Sequence, residues 1–201
     1  MNQFSRIGWS MKSGCHERLN NICVGIAGAG GLGSQLAACL VRTGFQRIRV
    51  VDYDRVEFTN LNRQYYFPHQ VGMFKVHALR SNLLSINPRL HFEGIVARIN
   101  SEVALRLFWN CEVVAECLDL GSEKSRFISA LLPTGKFIVA SSGVGGYGDS
   151  NSVRVHRIKE NLVVVGDLKS DIETFPPFGP KVMVAAAMQA DVILHHTLHG
   201  Y

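Results

Sequence analysis

The stretch ICVGIAGAGGLGSQLAACLVRTG, residues 22–44, narrows the possible folds more than any other part of the chain. Residues 22–27 are an unbroken run of apolar or small side chains, as in a strand buried on both faces. GAGGLG at 28–33 then matches G-x-G-x-x-G through Gly28, Gly30 and Gly33, with Gly31 inside the same turn. A helix over 34–44 follows, closed by Gly44 as its C-cap. Strand, glycine turn and helix in that order make a βα unit built to hold the phosphates of a nucleotide, and they commit the chain to a parallel sheet. Gly28 permits the sharp reversal, Gly30 admits a phosphate close to the backbone, and Gly33 lets the helix approach the sheet. The helix N-terminus offers unpaired N–H groups to the anion.

The same alternation continues downstream. Strands are expected at 47–52, 91–99, 111–119 and 136–143, with helices at 72–86, 101–110 and 122–134; Asn87-Pro88 stops the first of these helices. Past Gly143 the texture changes. Short runs at 152–158 and 161–167 predict an antiparallel, hairpin-like pair, and a Pro- and Gly-rich stretch leads to an apolar helix over 182–198. The reading is one α/β domain over 1–201: a Rossmann-like, doubly wound, mainly parallel sheet with a short antiparallel C-terminal extension.

Composition excludes several classes. Hydrophobic residues make up 47% and charged residues 18%, so the 201-residue chain can build a substantial core. The cysteines are Cys15, Cys23, Cys39, Cys111 and Cys117, an odd set without a CxxC pair, which argues against a disulfide framework or a tetrahedral zinc site. The last four lie in apolar segments and are expected in the core, whereas Cys15 sits in a polar stretch. The net charge of +5 is scattered, with no two Lys or Arg adjacent, so no nucleic-acid partner is expected. The N-terminus lacks an apolar run of signal-peptide length, and no segment reaches the ~20 apolar residues of a membrane span. The expectation is a cytoplasmic protein with no membrane partner. None of the eight histidines has metal-ligand spacing with Cys or acid, and packing is their expected role.

Chemistry concentrates in VDYDRVEFTNLNRQYYF, residues 51–67. Asp52 ends the second strand, where a carboxylate accepts hydrogen bonds from both ribose hydroxyls. Asp54 either caps the following turn or joins the nucleotide site. Asn60, Arg63 and Gln64 share one short turn, and Lys75 follows twelve residues after Arg63. NAD carries only a diphosphate, already served by the glycine turn. Two further cations suit ATP, whose leaving pyrophosphate gathers negative charge during attack. Asp119, at the end of the fourth strand, is placed to hold Mg²⁺ against phosphate oxygens or to cap the helix at 122.

Together these residues resemble the ThiF/MoeB-type adenylyltransferases, relatives of the ubiquitin-activating enzymes. The resemblance rests on GAGGLGS (28–34), the 51–67 stretch, VGMFKVHALRSNLLSINP (71–88) and the strand ending in Asp119, and it covers residues 22 to about 145. It implies ATP and Mg²⁺, with Asp52 on the ribose, and Asn60, Arg63, Gln64 and Lys75 on the phosphates. Asp119 is then the magnesium-linked acid, and Arg63, Lys75 and Asp119 are the catalytic set. The implied partner is a ubiquitin-like sulfur carrier with a Gly-Gly C-terminus, of the kind used in thiamine biosynthesis. Its terminal carboxylate receives AMP with loss of pyrophosphate. The implied assembly is a homodimer in which an N-terminal Arg, Arg6 first and Arg18 second, reaches the partner's site.

Three departures stand out: Leu120 where many members place Asn, no paired CxxC zinc motifs, and no cysteine after the fifth strand. They suggest a short ThiF-like branch that adenylates a carrier and leaves persulfide chemistry to another protein. The 166–181 stretch either steers the carrier's tail or is a Pro-stiffened surface loop. An NAD(P)-binding oxidoreductase and a non-catalytic carrier-binding scaffold are the alternatives. A relative acting on a tRNA-linked carboxylate would need a basic cluster that the chain lacks.

Overall fold

Side chains that are apolar on both faces put β1 (Cys23–Ala27) in the interior of the sheet. The computed structural model describes residues 14–171 and 174–200. β1 is flanked by β2 (Arg47–Val51) and β4 (Val113–Glu116), both parallel to it. β3 (His91–Ile95) extends the sheet beyond β2, and β5 (Phe137–Ser141) extends it beyond β4, again in parallel. The hairpin expected at the C-terminal end is present as β6 (Arg154–Lys159) and β7 (Leu162–Gly166). Its second strand, β7, joins β5 in parallel, which leaves β6 as an antiparallel edge. The full order is β3-β2-β1-β4-β5-β7-β6. The order reverses between β1 and β4, so a crevice opens at their C-terminal ends.

Alternation along the strands divides the core in two. Val24, Ile26, Ile48, Val50, Val113 and Ala115 face α2 (Gly31–Thr43), α3 (Lys75–Ile86) and α6 (Gly179–His199). Ala27, Val51, Val114 and Ile138 face α4 (Ser101–Leu107) and α5 (Gly121–Leu131). Each large apolar side chain fully buried this way contributes about 1.5–3 kcal/mol. On the second face Phe108 fills the space left by the absent side chain of Gly25, and its ring meets that of Phe127 edge-on at 5.8 Å.

Several boundaries differ from expectation. α2 starts at Gly31, inside the glycine motif, rather than at 34. α3 starts at Lys75 rather than 72, because the positive φ of Gly72 and a bridge between Phe74 and Arg55 hold the preceding residues extended. β3 stops at Ile95 and β4 at Glu116, which frees residues 96–100 and 117–120 to form loops over the crevice. A short helix α1 (Cys15–Asn21), not foreseen, precedes β1. No helix among the described residues is long and apolar enough to cross a membrane.

Candidate functional site

The glycine turn is fixed by close approach on two sides. A Cβ on Gly28 would lie 2.5 Å from the Cys117 carbonyl oxygen, and the φ of 96° at Gly28 disfavours any side chain. A Cβ on Gly33 would sit 1.9 Å from the Gly28 carbonyl oxygen. Only glycine lets α2 dock this near the turn. Ser34 N–H donates to the Gly30 carbonyl at 3.1 Å, and the N–H groups of the first helical turn before it remain available to an anion.

Ala29, between the first two motif glycines, is held by its neighbours. Its N–H donates to Asp52 Oδ2 at 2.6 Å, and its carbonyl accepts the Tyr66 hydroxyl at 2.7 Å. Asp52 directly follows β2 and is 8% exposed. Its other oxygen accepts the Asp54 N–H at 2.7 Å. Burial raises the Asp52 pKa, opposed by the charge of Lys75 and by these two amides. Burial likewise lifts Tyr66 well above the ordinary phenol value, so it stays a hydrogen-bond donor.

Asp54 does not cap the turn with its carboxylate; it holds Lys75. Asp54 Oδ2 lies 2.7 Å from Lys75 Nζ, and the Lys75 N–H donates to the Asp54 carbonyl at 2.9 Å. This double pairing closes the excursion of residues 55–74 and brings a buried ammonium back beside Asp52. Asp52, Asp54 and Lys75 line a cavity of about 230 Å³, bounded by Gly28, Gly30, the 97–99 loop and residues 117–120.

Asp119 is exposed on the loop after β4 and lines both this cavity and a neighbouring one of about 380 Å³. The loop's shape depends on an ion pair between the fully buried Glu116 and the half-buried Lys124. Lys124 Nζ reaches Glu116 Oε1 at 2.9 Å, while the same carboxylate oxygen accepts the Leu118 N–H at 2.7 Å. The far wall, Leu168 to Asp171, depends on a second pair: Lys181 Nζ donates to Asp167 Oδ2 at 2.7 Å and to the Gly145 carbonyl at 2.8 Å. Burial would raise the Asp167 pKa. The hydrogen bonds from Lys181 and from the Ser170 and Lys169 amides outweigh it and hold the carboxyl below its usual range.

Three of the residues expected at the phosphates line neither cavity. Asn60 caps its own turn, accepting the Glu57 N–H at 3.1 Å. Gln64 is buried against Gly30, its Oε1 unpaired among the described residues. The Arg63 guanidinium donates to the Thr59 carbonyl at 2.9 Å and to Asn62 Oδ1 at 2.8 Å, while its stem passes Gly31. Arg18, the second candidate for reaching across a dimer, instead donates to the Leu198 carbonyl of its own chain at 2.8 Å. Arg6 lies outside the described residues. Leu120 is exposed at the lip of both cavities and offers no polar contact there.

Sequence reading missed Tyr66, Glu116, Lys124, Asp167 and Lys181. One signal was available: Glu116, the acid inside the otherwise apolar run VVAECL at 113–118, needs a cation, and Lys124 is the first one downstream. No group of three or more His, Cys, Asp or Glu suited to a metal occurs among the described residues. A lone Asp119 still fits Mg²⁺, which takes one or two carboxylates and completes its shell with water and substrate oxygens.

The model of the ThiF family matches residues 5–199. The chain belongs to the ThiF family. It is similar to ubiquitin-like modifier-activating enzyme 5 of Branchiostoma floridae, 44% identical over 78 residues, which is 39% of this chain and 19% of that protein. The Arabidopsis thaliana protein of the same name is 36% identical over 110 residues, 53% of this chain and 26% of the relative. The matches thus span about a fifth to a quarter of these curated relatives. Among solved structures, E. coli tRNA N6-threonylcarbamoyladenosine dehydratase, TcdA, in complex with AMP superposes with a TM-score of 0.84 at 18% identity, covering 92% of this chain and 89% of that one. E. coli MccB with ATP gives 0.73 at 22% identity, covering 91% and 57%. The ThiF-family chain therefore has the α/β fold of these two proteins, with its mostly parallel sheet and one antiparallel pair at the end.

Proposed function

We propose that this ThiF-family protein binds ATP in the 230 Å³ cavity and transfers AMP to the C-terminal glycine carboxylate of a ubiquitin-like sulfur carrier. The observation that carries the reading is the buried Lys75 ammonium beside Asp52 at the mouth of the glycine turn. A redox coenzyme would gain little from that charge, whereas a departing pyrophosphate gains much. The names of the curated relatives, which refer to ubiquitin-like modifiers, favour a protein carboxylate over a small metabolite. MccB solved with ATP is a precedent for nucleotide binding on this fold.

In this mechanism the carrier's tail enters through the 380 Å³ cavity and meets the nucleotide at Asp119, the one carboxylate among the three residues, Leu118 to Leu120, that line both spaces. A carboxylate is already a nucleophile at neutral pH, so in-line attack on the α-phosphorus needs no general base. Catalysis consists of positioning and charge neutralisation. Asp52 fixes the ribose, the first-turn amides of α2 hold phosphate oxygens, and Lys75 neutralises them. Arg63, with its stem already beside Gly31, exchanges its contacts to Thr59 and Asn62 for phosphate. Asn60 and Gln64 keep this turn and the glycine turn in register. Asp119 would hold Mg²⁺, whose charge would offset that of the phosphates.

The product remains an acyl-adenylate. No cysteine occurs after Cys117, and Cys117 itself is buried with its thiol donating to Gln189. In this reading a separate protein supplies the sulfur. We further propose a homodimer, supported by the exposed Tyr147, Phe175 and Phe178 beside the second cavity, and a cytoplasmic location, supported by five free cysteines. Incubation with ATP, Mg²⁺ and a panel of diglycine-ending carriers, followed by intact mass of each carrier, tests the reading. One carrier gaining the mass of an adenylyl group supports it. A carrier that binds but is never adenylated leaves only the scaffold alternative.

A further inference from the structure

The crevice uses none of the chemistry at the opposite end of the sheet, where β1 begins and the chain enters β4. There Cys23 Sγ and Cys111 Sγ lie 3.5 Å apart, joined by a hydrogen bond. Cys23 is half-buried and opens onto a surface cavity of about 220 Å³ lined also by Arg47, Arg49, His91 and Glu93. Cys111 is buried beneath it. The loop bearing Cys111 is pinned from two sides. Arg49 donates to the Leu107 carbonyl at 2.6 Å and to Asn110, while Lys136 Nζ donates to the Trp109 carbonyl at 2.7 Å and the Cys111 carbonyl at 2.9 Å. The Glu112 N–H bonds the Cys23 carbonyl at 3.2 Å, so the two backbones are already tied together. These contacts hold the thiols in register.

We propose that Cys23 and Cys111 form a peroxide-reactive dithiol that closes to an intramolecular disulfide. The inference is independent of the nucleotide reading. The Cys23 thiolate attacks the peroxide oxygen, the O–O bond breaks, and Cys23 becomes a sulfenic acid as one water (from hydrogen peroxide) leaves. The Cys111 thiol then attacks the Cys23 sulfur and displaces the hydroxyl as a second water. Two thiols are oxidised and one peroxide is reduced.

The surroundings suit the first step. The hydrogen bond from Cys111 lowers the Cys23 pKa; burial opposes this, Arg49 and Arg47 lower it further, and Glu93 opposes them. Cys111, which supplies that hydrogen bond, is raised and stays a thiol until the sulfenic acid forms. Closing the bond brings the sulfurs from 3.5 Å to about 2.0 Å. The other partly accessible thiol in the body of the fold, Cys39, is raised by burial and has only the weaker counter-influence of Arg42. It is the internal control.

The test is titration of the reduced full-length protein with hydrogen peroxide, read by intact mass and by fragmentation of the peptides carrying each cysteine. The expected first product is lighter by about 2 Da, the two hydrogens lost, with Cys23 bonded to Cys111 and Cys39 still alkylatable. Dithiothreitol restores the starting mass. Cys23→Ser and Cys23→Ala both lose the 2 Da change. A first product oxidised at Cys39 or Cys15, or Cys23 carried on to sulfinic acid while Cys111 remains alkylatable, overturns the proposal. Because wild-type protein alone gives the answer, poor folding of a variant does not rescue it.

Discussion

Replacing Lys181 with Met removes the cation that organises the far wall of the second cavity. The Lys181 and Asp167 side chains are only 5% and 8% exposed, so the substitution leaves a carboxylate with little water to replace its partner. Breaking a buried pair by removing one member costs about 3–5 kcal/mol. The lower figure applies here, because Leu168 to Ser170 border open space and the Lys169 and Ser170 amides still serve Asp167 Oδ1. For a chain of this size about 3 kcal/mol corresponds to roughly 6–12 °C in Tm. The pH dependence carries a sign of its own. Asp167 titrates lower in the folded state than in the unfolded chain, so its contribution is complete above the ordinary carboxylate value near pH 4 and is lost as pH falls through the folded value. Urea unfolding of wild type and Lys181→Met between pH 7 and pH 3 measures both effects. The gap between the two proteins is expected to be widest at neutral pH and to narrow in acid. The double variant Lys181→Met with Asp167→Asn, which removes both charges, should recover part of the loss. A single variant within about 1 kcal/mol of wild type at pH 7, or a gap that widens in acid, refutes the reasoning.

Other expectations follow from the same geometry. Gly33→Ala forces a Cβ against the Gly28 carbonyl, so α2 must move off the turn; about 2 kcal/mol of stability and detectable ATP binding should both be lost, by denaturation and calorimetry. Lys124→Met strands the fully buried Glu116 carboxylate and should cost about 3 kcal/mol in urea unfolding, with adenylation falling because the Asp119 loop loses its anchor. Asp119→Asn alters an exposed side chain and should leave stability within about 0.5 kcal/mol of wild type while removing Mg²⁺-dependent turnover. Tyr147→Asp, on a ring 77% exposed and edge-on to Phe178 at 5.3 Å, should shift sedimentation toward the monomer.

What the sequence made legible was the part governed by local rules. The βα alternation, the glycine turn and the acid at the end of the second strand depend on residues near one another in the chain, and GxGxxG with Asp52 suffices to place them. The partner of Asp54 was not legible, since turn capping and a salt bridge are equally compatible with VDYD. Only the closure of residues 55–74 brings Lys75 within 2.7 Å. Lys181–Asp167 and Glu116–Lys124 join different elements across a loop or helix, and no spacing rule announces such pairs. Cys111 and Cys117 are in the core as expected, but Cys23 and Cys39 are only half-buried, and the contact of Cys23 with Cys111 arises from the β1–β4 register, which spans 88 residues. The guanidinium of Arg63 lies on Thr59 and Asn62, a choice among nearby acceptors that residue type alone does not make.

The claim beneath the functional account is that Lys75 faces a triphosphate rather than serving only as a structural partner of Asp54. Carrier-dependent exchange of labelled pyrophosphate into ATP, compared between wild type and Lys75→Ala, tests it most directly. The account predicts rapid exchange in wild type and none above background in the variant, with both proteins folded by circular dichroism. Undiminished exchange in Lys75→Ala would contradict it.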